Sequence, residues 1–194
     1  MKRCEKMVLV CIAFAAVQFA AGSKGVLAYT ISGSEWASRD HVTSEWGTSD
    51  AEARWQGSDG ADLEAYAWDA NSGCYASAMW TYNLGYSSGS LTITWSYHIN
   101  AYFTVNGAGV AYCAFWFELW GSSGRIGSSS TKVHQDDIDA DRTIDKTFSN
   151  LAWDSYRVVV YALARAESDT DGSSAEADAY YGSLQVTTNW LEIS

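Results

Sequence analysis

The chain has 194 residues, 47% hydrophobic and 14% aromatic, and its twelve basic and twenty-three acidic side chains leave a net charge of −11. That balance excludes nucleic acid and anionic membrane as partners, because both require a positive surface. Ten tryptophans and twelve tyrosines stand beside no proline, where average usage would place about eight in the mature stretch.

The amino terminus reads as a secretory leader. Lys2, Arg3 and Lys6 precede an apolar run from Met7 to Ala21, which has the length of a signal-peptide core and is short for a membrane span. Val26-Leu27-Ala28 sets the expected cleavage site, with Ala21 or Gly22 as the competing one. Residues 1–28 are thus a cleaved signal peptide and residues 29–194 one secreted, extracellular domain without a membrane anchor. The mature part carries 8 basic against 22 acidic residues, a charge of −14. A chain of this length buries roughly 68–70% of its extended surface and can hold a core unaided.

Beyond the leader the hydrophobic period is two and helical periodicity is absent. Strands are expected over 42–46, 51–56, 63–69 and 74–82. The clearest is Leu91 to Ile99, with Leu91, Ile93, Trp95, Tyr97 and Ile99 on one face and Thr92, Thr94, Ser96 and His98 on the other. Next comes 109–120, whose inner row is Ala111, Cys113, Phe115, Phe117 and Leu119. Later strands are expected over 143–148, 156–167, 174–181 and 184–193. Turn signals fall at Gly57-Ser58-Asp59-Gly60, Asn71-Ser72-Gly73, Ser87-Ser88-Gly89, Asn106-Gly107 and Asp171-Gly172, where Gly, Asn and Asp supply positive φ. Asn106-Gly107 reads as a hairpin, and Gly182 as a bulge or bend.

Eight to ten such strands with no crossover helices predict an all-β, antiparallel two-sheet β-sandwich of jelly-roll type. Inward alanines at 51, 53, 65, 67, 76, 78, 162, 164, 175, 177 and 179 allow the sheets to interdigitate around Trp and Tyr. Cys74 and Cys113 remain after cleavage, on inward faces. Export permits a disulfide between them; two buried free thiols are the alternative.

The succession of an Ala/Ser-rich strand, Ser90-Leu91-Thr92-Ile93-Thr94-Trp95, a long aromatic strand, Tyr156 to Ala164 and the closing Val186 to Ile193 resembles secreted jelly-roll proteins of bacteria and archaea. Those usually carry a carboxy-terminal sorting anchor, and this chain ends at Leu191-Glu192-Ile193-Ser194 without one. A more distant resemblance is to jelly-roll carbohydrate-binding modules. The resemblance implies an extracellular β-sandwich and fixes no activity.

Four features carry candidate chemistry. Tyr112, Trp116, Glu118 and Trp120 share the outer face of one strand, with Trp116 and Trp120 roughly 13–14 Å apart. Their indole faces would stack on sugar rings, with Glu118 hydrogen-bonding hydroxyls between them. Aromatic strands are nonetheless most often core. Tyr66 and Trp68, alternating with Glu64, form a weaker version of the same pattern. Asp136, Asp137, Asp139 and Asp141, beside His134, supply the oxygens a Ca²⁺ ion takes, or else are solvated acidic turns. Arg142 and Phe148 stand where an EF-hand needs glycine and glutamate, so the loop is not one. Asp169, Asp171 and Glu176 form a second acidic loop.

Catalysis is not expected. Glu118 lies among aromatics, the setting of a general acid, but no facing carboxylate can be assigned. His41, His98 and His134 are scattered, and no serine stands in a Gly-x-Ser-x-Gly turn. Finally, only Lys132 and Lys146 guard sheet edges against association. The segment Tyr29-Thr30-Ile31 suits a donor strand completing a neighbour's sheet. There is no Asn-x-Ser/Thr sequon, so a heavily N-glycosylated filament is not expected.

Two functions follow. The leading one is a structural subunit of an extracellular filament, sheath or matrix, self-assembling by strand addition with help from Ca²⁺. The other is a soluble polysaccharide-binding sandwich using Tyr112, Trp116 and Trp120.

Overall fold

The computed structural model describes residues 29–31, 35–68, 71–106, 109–134, 138–168, 174–178 and 184–194. They form ten strands: β1 (Tyr29–Ile31), β2 (Ser38–Trp46), β3 (Ser49–Gln56), β4 (Gly60–Ala67), β5 (Ser72–Asn106), β6 (Val110–Gly121), β7 (Gly124–His134), β8 (Ile138–Ser168), β9 (Ser174–Asp178) and β10 (Leu184–Ile193). Every ladder is antiparallel, and the pairs nest: β6 with β7, β5 with β8, β4 with β9 and β1 with β10. A long hairpin folded back on itself in this way is the topology of a jelly roll.

Strands β5 and β8 are far longer than ordinary strands because each serves both layers. Their shared ladder shifts register between Asn83 and Gly85, Ser87 and Gly89, and Gly89 and Leu91. Gly85 and Gly89 have φ of 74° and 92°, and Asn150 on β8 has 58°. Most residues with a Cβ resist that region, while glycine and, to a lesser degree, asparagine enter it, so these residues let the two-stranded ribbon turn a corner. Before the corner, β5 pairs with β2 and the second half of β8, which continues to β6 and β7. After it, β5 pairs with the first half of β8 and with β10, which continues to β1 and β4. These are the first and second layers.

The core lies between them. Leu91, Ile93, Trp95, Tyr97 and Ile99 are all at most 4% exposed, and so are Ala111, Cys113, Phe115, Phe117 and Leu119 from the facing layer. Tyr97 stacks on Phe115 at 4.7 Å, and Phe117 meets Phe148 edge-on at 6.4 Å. Trp80 packs edge-on against Trp55 at 5.4 Å. Burying a ring of this size removes about 150–250 Å² from water, worth up to roughly 4–6 kcal/mol. Ala65, Ala67, Ala76, Ala78, Ala162 and Ala164 are fully buried as expected. Ala51 and Ala53 are half-buried, while the side chains at 175, 177 and 179 lie outside the described residues.

Three expectations are corrected. Cys74 pairs with Ala166 and Cys113 with Ala164, so the cysteines flank β8 on opposite sides with a two-residue offset. Two strand spacings and that offset separate their Cα atoms by about 12 Å, whereas a disulfide spans at most about 7 Å. Both are buried free thiols. Second, Asn106-Gly107 does not join a hairpin, because Tyr102–Asn106 pairs with β9 and β6 starts in the first layer beside β8. The inward rows Ala101/Phe103 and Ala111/Cys113 belong to opposite layers, so side-by-side pairing would strand one of them. Third, Ser87-Ser88-Gly89 bends one strand instead of ending it. Asp171, Gly172 and Gly182 lie outside the described residues.

Candidate functional site

On β6 the row Tyr112, Ala114, Trp116, Glu118 and Trp120 faces outward, as the alternation predicts. Register extends it across the first layer: Arg165, Leu163, Tyr161, Val159 and Arg157 on β8, then Tyr75, Ser77, Met79, Thr81 and Asn83 on β5. Lys132, Ser130, Ser128 and Arg125 of β7 complete the other side.

The tryptophans do not lie flat. Trp116 stacks on its register partner Tyr161 with centroids 4.6 Å apart and planes 7° from parallel. That separation matches the spacing between strands, so both rings stand upright and press one face against each other. The free face of Trp116 turns toward β7, where its partner is the small Ser130. The result is a half-exposed aromatic wall above a floor of Ser128 and Ser130. Tyr112 is capped instead by Lys132, whose Nζ is 4.7 Å from the ring centre.

Glu118 is 8% exposed and does not reach outward between the rings. It accepts hydrogen bonds from Trp120 Nε1 at 2.9 Å, Arg125 Nη1 at 2.9 Å and Tyr161 Oη at 3.4 Å. It therefore positions the two aromatic rings. Burial, reinforced by the Glu118 charge, pushes the Tyr161 phenol up to about 12. Beyond Trp120 a cleft of about 330 Å³ is lined by Asn83, Trp120, Gly121, Ser122, Ser155, Tyr156 and Arg157. The Arg157 guanidinium lies 5.3 Å over the Trp120 ring.

Sequence reasoning missed an aromatic pair at the end of this face. Tyr86, 69% exposed, and Trp153, 73% exposed, stack at 6.0 Å and 23° where the ribbon turns its corner. The available signal was Tyr86 set between Gly85 and Gly89 in an otherwise polar stretch. Tyr161 was readable too, since inward Ala162 and Ala164 force it outward.

The other candidates sit elsewhere. Tyr66 is on β4, in the second layer, and Trp68 follows it, 46% exposed. Asp136 and Asp137 lie outside the described residues. Asp139 and Asp141 project from the second layer, where His98 reaches both, Nε2 to Asp139 at 3.0 Å and Nδ1 to Asp141 at 3.2 Å. Asn189 adds a 3.0 Å bond to Asp141; these two donors hold its carboxyl below the ordinary value. Among the described residues no group of three or more His, Cys, Asp or Glu is arranged to hold a metal ion. Tyr29–Ile31 pairs with Leu191–Ile193 of its own chain. Of the second acidic loop, Asp169 and Asp171 lie outside the described residues and Glu176 is on β9.

No family model matches the chain, and no curated protein matches it in sequence. Among solved structures it is similar to the C-terminal CBM6 of LamC, a marine laminarinase from Zobellia galactanivorans (13% identity, 87% of this chain and 99% of that one, TM-score 0.34). It is also similar to the family 11 carbohydrate-binding module of Lic26A-Cel5E from Clostridium thermocellum (10%, 85% and 96%, 0.34). A third is the carbohydrate recognition domain of Emp47p (12%, 89% and 98%, 0.34). The superpositions are loose, so a function for this chain has to come from its own residues.

Proposed function

We propose that this protein is a secreted, non-catalytic polysaccharide-binding sandwich, and that the outer face of its first layer is the binding surface. The observation that carries the reading is the upright Trp116–Tyr161 pair, with an open indole face above a serine floor. An aromatic wall beside small hydroxylated residues offers a sugar ring an apolar contact and hydrogen-bonding partners together. Glu118, through Trp120 and Tyr161, keeps the wall rigid, so little order is lost on binding.

Binding without reaction is supported by the state of the carboxylates. On this face Glu118 is bound to Arg125 and Glu167 to Arg165, so both carboxylates are tied into ion pairs rather than facing one another across an open cleft. Assembly by strand addition has less support. Tyr29–Ile31 already completes its own sheet, and the outer strand β2 carries Arg39, Asp40 and Glu45, charges that discourage edge pairing.

Affinity electrophoresis against a panel of neutral glucans, galactans and polyuronates tests this directly. At least one polymer should retard the protein, and Trp116→Ala should weaken that retardation about 30-fold, the cost of a central aromatic anchor. A protein unretarded by every polymer, with unchanged tryptophan fluorescence, would overturn the reading.

A further inference from the structure

The mature chain has eight cations, and they are not scattered. Arg125, Lys132, Arg157 and Arg165 all lie on the outer face of the first layer, against the carboxylates Asp40, Glu118 and Glu167 there. Where residues 29–194 together carry −14, this one face is close to neutral or slightly positive. Arg125 and Arg165 hold Glu118 and Glu167. Arg157 makes no ion pair among the described residues and is exposed in the cleft beyond Trp120.

Arg157 is also well presented. Stacked over the Trp120 ring at 5.3 Å, a guanidinium keeps the N–H groups around its edge available, in the fork that matches a carboxylate. Its neighbours are Asn83, its register partner, and Ser155, two residues along β8. Ser155 pairs with Tyr86, so the backbone of Tyr86 stands roughly 8–9 Å from that of Arg157, and Trp153, four residues along β8, roughly 13–14 Å from it. The nearby carboxylate of Asp154 accepts from Ser122 N and Oγ at 2.9 Å each and makes no ion pair with Arg157. Two large rings left about 70% exposed gain nothing for folding. On the same stretch of ribbon stands a cation that makes no ion pair among the described residues.

We infer that this end of the face is a subsite for an acidic glycan: the ring of one sugar residue lies against Tyr86 and Trp153, and the anionic group of a residue farther along the same polymer meets Arg157, with Asn83 and Ser155 bonding hydroxyls between them. This rests on the polysaccharide-binding reading and narrows it to anionic polymers.

The test measures binding of the full chain to polygalacturonate, dextran sulfate and a neutral β-glucan, using wild type, Trp116→Ala and the exposed-site variants Arg157→Met, Trp153→Ala and Arg54→Met. Arg54, on the opposite layer, controls for net charge. The expected result is salt-sensitive binding to polygalacturonate, weakened about ten- to a hundredfold by Arg157→Met and severalfold by Trp153→Ala, with Arg54→Met neutral. Stronger binding to dextran sulfate with the same two dependences would identify sulfate as the anionic group and still support the subsite. Several results overturn it. Salt-indifferent binding to the neutral glucan, lost in Trp116→Ala but kept in Arg157→Met, removes the subsite and leaves the proposed function standing. Equal losses in Arg157→Met and Arg54→Met reduce the effect to net charge. A concentration-dependent dimer abolished by Trp153→Ala assigns the aromatic pair to a second copy of the chain. Failure of all three polymers removes the subsite, and failure across the wider panel as well removes the parent reading.

Discussion

Glu118 shows how a single side chain divides structure from recognition on this face. Its oxygens hold Trp120, Tyr161 and Arg125 at once, so Glu118→Ala should release both rings and cost about 2 kcal/mol in a denaturant titration. Trp116→Ala, by contrast, should change binding far more than stability, because its outer ring face touches no core residue. Tyr97 offers the opposite experiment. Its hydroxyl is buried without a hydrogen-bond partner among the described residues, and an orphaned buried polar group destabilises. Tyr97→Phe should therefore leave stability unchanged or raise it by about 1 kcal/mol. A loss of more than 1 kcal/mol would show that the hydroxyl is satisfied. For the cysteines, reductant should leave Tm unchanged, and Cys74 and Cys113 should be alkylated only after unfolding.

At the scale of elements, the corner of the β5–β8 ribbon is the point of greatest leverage. Nothing lies within 4 Å of a Cβ built on Gly89, yet its φ is +92°. Gly89→Val should thus cost about 1–3 kcal/mol through the backbone alone, and Gly89→Asn less. Much of this level was legible in the sequence. Alternation located the rows of Leu91–Ile99 and Ala111–Trp120 and their inward sides, because each row is buried on one face only. The Gly57–Gly60 turn was legible because a tight hairpin needs residues tolerant of positive φ. What escaped was long-range. β7 carries Gly127, Ser128, Ser129 and Ser130 and buries little, so no hydrophobic period announces it. The continuity of β5 through Ser87-Ser88-Gly89 depends on β8 bending beside it, which no local signal encodes. Asn106-Gly107 has hairpin chemistry, but the burial demands of its flanking strands prevail. For the candidate site, the outward row of β6 was legible, while the upright stance of its rings and the contribution of β8 required the register.

Across the whole molecule, charge and layer coincide. Aromatic rings and four of the eight cations in residues 29–194 line one outer face, while Asp139, Asp141, Asp145 and Glu192 project from the other. Stability should fall at both ends of the pH scale. Asp141 and Asp154 have carboxyls lowered by hydrogen bonds, from Asn189 and His98 and from Ser122. Their contribution is present above the ordinary value of 3.8 and is lost as acid protonates them in the folded state. At the alkaline end, burial raises the Cys74 thiol from 9.0 to about 11 and the Tyr161 phenol from 10.0 to about 12. The unfolded chain ionises first, so stability should decline progressively from about pH 9 upward. Thermal melts from pH 3 to 11 would show a plateau between the two limbs; a steady rise above pH 9 would contradict the burial of both groups.

The position of β10 also governs how the protein comes into being. Leu184–Ile193 lies against Ile93–Asn100 on one side and against Tyr29–Ile31 and Gly60–Leu63 on the other. A nascent chain cannot seal its second layer until Leu184–Ile193 has emerged, so folding waits for that strand to be made. A product clipped before Leu184 would leave Trp95 and Ile93 on an unfinished sheet, and it should be recovered only as aggregate.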